Sequence, residues 1–121
     1  MADRNSDTPN TALNLPEDLP QAPDKAVAAI VEIAQPELVI VVGSWAEGPA
    51  MPGNDVDLLV VTDYEDRVPF YSALCDVVRA ALGPRKFDLL VYRPHEWARG
   101  RRLIGFAPHE ADRYGVKLHA T

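Results

Sequence analysis

One cysteine in 121 residues rules out an internal disulfide. The histidines and that cysteine fall into no set at zinc spacing. No apolar run approaches the ~20 residues needed to span a bilayer. The opening MADRNSDTPN is polar and acidic and lacks an apolar core, so it does not read as a signal peptide. A cytoplasmic protein with no membrane partner is expected. A basic excess is also missing. The net charge is −6, which argues against long nucleic acid as the main ligand, because polyanion binders normally carry surplus Lys and Arg. There is no P-loop, since no glycine-rich turn ends in Gly-Lys-Ser/Thr, and no internal repeat.

What is present fits one soluble domain. Apolar residues make up 47% and charged residues 25%, and a chain of this length removes roughly two-thirds of its unfolded surface from water. The charge is unevenly spread. Residues 1–66 hold 13 acids against 2 bases, whereas residues 67–121 hold 5 acids against 10 bases. An acidic half beside a basic half suits a site for metal and phosphate, or a solvated Arg-rich helix face.

Residues 1–24, with four prolines and scattered acids, read as an extended arm, and 25–121 as the domain. Asp24 has the character of an N-cap for a helix through Gln35, with Val27, Ile30, Val31 and Ala34 at helical spacing. LVIVV (38–42) is a short β-branched run, as in a strand buried on both faces. A helical turn is expected over 45–48 and a Pro/Gly loop over 49–54. DVDLLVVTD (55–63) and KFDLLVYR (86–93) read as two further strands. Asp66 to Gly83 reads as the helix between them, with Pro69 in its first turn and Gly83-Pro84 as its stop. Helices over 95–103 and 108–114 follow, then a small edge strand at VKLH (116–119). The order gives an α/β (α+β) fold with a small mixed β-sheet flanked by helices.

Three features carry chemistry. Asp55 and Asp57 alternate on one strand, so their carboxylates share a face. Such a pair repels unless a cation sits between its members. Asp88, in Phe87-Asp88-Leu89, has similar apolar flanks on the next strand. Three carboxylates from strand ends make a hard-oxygen site suited to Mg²⁺, and two ions there would activate a hydroxyl and stabilise leaving pyrophosphate. Gly43-Ser44, where a strand turns into a helix, offers backbone N–H groups, a helix dipole and a hydroxyl to phosphate.

The segment VVGSWAEGPAMPGNDVDLLVV resembles the signature of minimal nucleotidyltransferases in the DNA polymerase β-like superfamily. That signature is a Gly-Ser, a spacer of about ten residues, an Asp-x-Asp between apolar residues, and a later lone Asp on a strand. Asp88 fills the last place. The resemblance spans about residues 25–93, with a weaker echo in ADRYGVKLH. It implies the nucleotidyltransferase fold and transfer of a nucleoside monophosphate from an NTP, ATP foremost, with Mg²⁺, to a hydroxyl or phosphate acceptor, a hydroxyl being the one expected here. The catalytic and metal residues would be Asp55, Asp57 and Asp88, and the nucleotide-binding residues Gly43 and Ser44. Short stand-alone members are often paired with a helical HEPN-type partner as toxin–antitoxin systems, and some adenylylate that partner.

Glu47 stands where many relatives carry a basic residue. Arg93, Arg99, Arg101 and Arg102 are the candidates to supply positive charge instead, and Trp45 to stack on a base. With no second domain to close the cleft, a partner or a homodimer would complete it. The rival reading is a catalytically inactive antitoxin that neutralises its partner by contact alone. An antibiotic-modifying transferase is set aside, because such enzymes generally carry a further helical domain. Cys75 reads as a buried small hydrophobe beside Val78 and Leu82. His95, His109 and His119 have no partners at ligand spacing, and Trp97 and Phe106 read as core or partner-contact residues.

Overall fold

The computed structural model describes residues 21–47 and 55–121, with the backbone alone at Gln21, Ala22, Ser44 and Glu47. The elements are α1 (Gln21–Ala34), β1 (Leu38–Val42), α2 (Ser44–Glu47), β2 (Val56–Val61), α3 (Arg67–Leu82), β3 (Phe87–Tyr92), α4 (Pro94–Gly100), α5 (Ala107–Tyr114) and β4 (Val116–Ala120). The arm through residue 20 and the loop at 49–54 lie outside the described residues.

The expected helices are all present, with bounds that shift by one to three residues. α1 begins at Gln21, so Asp24 sits in its first turn rather than capping it. Pro23 is also in that turn, where its missing N–H costs nothing. The helix closes at Ala34, and Gln35 takes a left-handed φ of 48° before Pro36. The helix expected over 95–103 starts one residue earlier, on Pro94, and stops at Gly100. Its start is fixed by Glu96 Oε1, which accepts the Arg93 N–H at 2.8 Å.

The strands form one sheet in the order β3-β2-β1-β4. β1 runs antiparallel to both β2 and β4, while β2 and β3 are parallel. Parallel neighbours need a crossover, and α3 supplies it. Alternation then sorts the side chains. Val39 and Val41 of β1, Val56, Leu58 and Val60 of β2, and Leu89 and Val91 of β3 all face one way. There they meet Ala26, Val27 and Ile30 of α1 and Leu74, Val78 and Leu82 of α3 in the main core. Each such buried Val, Leu or Ile contributes roughly 1.5–3 kcal/mol of transfer free energy. On the opposite face, Ile40, Leu59 and Val61 pack against Trp97 of α4 and Ala111 of α5. This second cover is smaller and leaves part of the sheet open: Leu90, central in β3, remains 42% exposed.

Among the described residues no helix is long and apolar enough to cross a membrane.

Candidate active site

The open part of the sheet carries the carboxylates. In the parallel β2–β3 ladder Asp57 is the register partner of Asp88, and in the antiparallel β1–β2 ladder Val42 is the partner of Asp57. Neighbouring strands lie about 4.8 Å apart, so Asp57 and Asp88 project side by side from one face. Asp55 immediately precedes β2 and is exposed, as is Asp88, while Asp57 is half-buried. Burial, then the charges of Asp88 and Asp55, push the Asp57 pKa above the ordinary aspartate value. Asp57 thus senses both of the other carboxylates electrostatically. Among the described residues, however, no three His, Cys, Asp or Glu side chains form a ready metal cluster.

Gly43 closes the site from the β1 side. Its φ of +70° is left-handed, and a Cβ there would lie 2.6 Å from Asp57 Oδ2. Only glycine lets the backbone pass so close to that carboxylate. The turn continues into α2, a single turn of four residues. Its dipole is correspondingly slight, so any anion attraction here rests on the Gly43–Ser44 backbone rather than on a helix end. The Ser44 hydroxyl and the Glu47 carboxylate lie outside the described side chains.

Trp45 does something other than expected. It is 2% exposed and belongs to the main core, with the Arg85 guanidinium 5.8 Å from its ring centroid. It cannot stack on a base; it anchors the Gly43–Ser44 turn to the domain. An exposed aromatic at the right place is Tyr114. With Val42, Gly43, Leu59, Leu90 and Gly115 it lines a cavity of about 240 Å³.

Of the arginines expected to replace a missing positive charge, Arg93 and Arg101 are engaged by other partners. Arg93 follows the C-terminal end of β3, five residues and roughly 16 Å along the strand from Asp88. It is held there by the Tyr64 carbonyl at 3.0 Å, by the Tyr64 ring at 4.1 Å and by Asp63 at 3.9 Å. Arg101 pairs with Asp112 at 3.6 Å. Arg99 lines a cavity of about 440 Å³ against α4, together with Arg67.

The sequence reading passed over Tyr71, on α3 beside β3. Its phenol pKa is raised by burial, then by its hydrogen bond with the Cys75 side chain and by the charges of Cys75 and Asp88, against the lowering effect of Arg67. Cys75 is accordingly half-buried and lines the same cavity as Tyr71, whereas Val78 and Leu82 are buried as expected. Trp97 is core, and Phe106 is exposed. His109 faces Glu110 at 3.1 Å, and His119 meets the Pro36 carbonyl at 3.1 Å.

A mixed four-stranded sheet flanked by helices, with aspartates at the starts of two parallel strands, defines a nucleotidyltransferase-type fold. The nucleotidyltransferase domain family matches residues 24–104, and the chain belongs to that family and carries its enzyme class. Among solved structures it is similar to a chain of the toxin–antitoxin MntA-HpeT, crystallised as a mutant. The TM-score is 0.58 at 18% identity, over 81% of this chain and 73% of that one. No curated protein matches in sequence.

Proposed function

We propose that the chain transfers a nucleoside monophosphate from an NTP, ATP foremost, to a hydroxyl acceptor, and that it serves as the antitoxin of a cytoplasmic toxin–antitoxin pair. The observation that carries this reading is the register of Val42, Asp57 and Asp88, with the Gly43 backbone set against the Asp57 carboxylate. Asp57, whose proton affinity is raised by burial and by the charges of Asp88 and Asp55, fits with those two carboxylates around a divalent cation, which removes the repulsion.

Asp55 and Asp57 would hold the Mg²⁺ that meets the phosphates, and Asp57 and Asp88 a second. Bound Mg²⁺ would supply charge neutralisation to the leaving pyrophosphate and activation to the attacking hydroxyl. The chain's own residues do the rest. Gly43 admits the phosphates close to the backbone, and Ser44 donates a hydrogen bond to them. Tyr114 offers its ring to the base. As the alternative to holding that second ion, Asp88 takes the acceptor's proton as general base while the acceptor oxygen bonds to the α-phosphorus and pyrophosphate departs.

The partner and acceptor is a helical HEPN-type protein, which, or a second copy of the chain, completes the open face. That the fold neighbour comes from a toxin–antitoxin supports this choice. The test is calorimetric titration of ATP, then other NTPs, with and without Mg²⁺, using an Asp55/Asp57 double alanine variant as control. Metal-dependent binding that the variant loses is expected. Binding indifferent to both metal and variant would overturn the site.

One observation favours a second reading, neutralisation by contact alone: the carboxylates form no ready metal cluster among the described residues. A triple Asp55, Asp57 and Asp88 alanine variant that neutralises the partner as well as the parent would establish it.

A further inference from the structure

β3 is the edge strand on the Asp88 side, since it pairs with β2 alone among the described strands. The direction of its backbone groups follows from two bonds. Lys86 and Tyr92 give their carbonyls to β2, to the N–H groups of Val56 and Thr62. In a parallel ladder alternate residues face alternate edges, so Phe87, Leu89 and Val91 turn their N–H and C=O groups outward. The Val91 carbonyl confirms this by accepting Arg67 Nη1 at 3.4 Å from beyond the edge.

Two grooves flank this edge, one on each face of the sheet. Toward α3 lies a cavity of about 570 Å³ lined by Val68, Tyr71, Ser72, Leu89 and Leu90. Toward α4 lies the 440 Å³ cavity, which includes Leu90, His95, Arg99, Leu103 and Phe106. Arg67 and Leu90 border both. Val68 and Phe106 are 75% and 56% exposed. A strand added at an edge points successive side chains to opposite faces, so it needs an apolar slot on each. β3 offers both.

We propose that the β3 edge docks an extended polypeptide segment as a fifth strand. The charges choose its side chains. Arg67 and Arg99 stand at the Tyr92 end of the edge, and the one acid lining that groove, Glu96, is occupied by the Arg93 N–H. Asp88 stands at the other end, on the same face as Tyr92. The four residue steps from Asp88 to Tyr92 span about 13 Å. The segment therefore carries a hydroxyl residue opposite Asp88, an acidic residue four positions away on the same face, and an apolar residue between them in the α3 groove. A sugar-phosphate chain lacks the alternating donors and acceptors that match this edge. The hydroxyl at Asp88 rests on the transfer reading above; the docking does not.

The probe is the peptide Ac-Thr-Val-Leu-Val-Glu-NH2 and its reverse-order counterpart, titrated into the full ¹⁵N-labelled chain without nucleotide or Mg²⁺. Saturable shifts centred on the Phe87, Leu89 and Val91 amides, with slowed hydrogen exchange at Phe87 and Leu89, are expected for one of the two orders. N-methylation of its edge-facing amides should weaken binding about tenfold, the loss of one or two hydrogen bonds. Arg67→Glu should weaken the Glu peptide and favour its Lys analogue. Shifts centred elsewhere, equal binding of the N-methylated peptide, or no saturation by either order would overturn the proposal. ATP binding by the same samples with Mg²⁺ is scored separately, so a dead nucleotide site and a silent edge give different results.

Discussion

The two ends of the β2–β3 pair treat charge in opposite ways. At the C-terminal end, Arg93 is satisfied from several sides at once, by a carbonyl, an aromatic face and a carboxylate. At the N-terminal end, the influences on Asp57 are burial and two like charges, all unfavourable to its ionised form. Same-sign groups held together at a cost are what a ligand-binding site looks like before its ligand arrives, whereas compensated groups serve the fold. The difference separates residues whose loss should stop the chemistry from residues whose loss should only soften the protein.

Asp57→Ala gives the largest effect expected at the N-terminal end. It should lower transfer by on the order of 10³-fold, since it removes a group shared by both proposed ions. The circular dichroism spectrum and Tm should stay near parental values. A variant with full transfer would remove Asp57 from the site. Gly43→Ala comes next. Its new Cβ meets Asp57 Oδ2, and the left-handed φ adds strain, for a loss of about 1–3 kcal/mol in urea melts together with most of the ATP affinity. An unchanged calorimetric Kd would mean that the close approach is incidental. Tyr114→Ala should weaken ATP about tenfold if its ring meets the base, and pyrophosphate hardly at all; equal losses for both ligands would count against stacking.

At the other end, Arg93→Ala should cost about 1–2 kcal/mol of stability through its lost ring contact and hydrogen bond, with transfer per folded molecule unchanged. Impaired transfer at full stability would collapse the distinction between the ends. The smallest effect is the subtlest. Because folding raises the Asp57 pKa, the folded chain holds a proton that the unfolded chain has released at pH values between the ordinary and the raised value. Stability from this group is therefore greatest below the ordinary aspartate pKa and falls as pH rises through the raised one. In chelator at neutral pH, Asp57→Asn should melt a few degrees higher at most, the effect being trimmed by solvent screening. The gap should close toward about pH 3. A less stable Asn variant at neutral pH would contradict the like-charge account.

Much of this frame was legible in the chain itself. LVIVV, VDLLVV and FDLLVY announce three strands because β-branched and apolar runs of that length have few other uses. Alternation alone puts Asp55 and Asp57 on one face. What local pattern could not carry was contact at a distance. Trp45 looks bulky for its place after Gly-Ser and able to stack on a base, yet the core formed by α1, α3 and the sheet claims it. The arginines after residue 92 looked available to phosphate until the parallel register put Arg93 beyond the far end of β3. Tyr71 and Tyr114 have no signature at all. They matter through neighbours, Asp88 for one and Gly43 for the other, that are remote from them in sequence.

The strand order has a consequence for the protein's birth. β1, β2 and β3 lie within residues 38–92, so the Gly43–Asp57–Asp88 face can assemble from one continuous stretch of chain. β4 pairs with β1 across more than seventy residues, Val41 with Val116, and contacts so distant in sequence form late. On the ribosome, then, the incipient site precedes closure of the sheet, and for that interval β1 is a bare edge. Chaperone dependence during synthesis would fall on this strand, a burden the finished protein no longer shows.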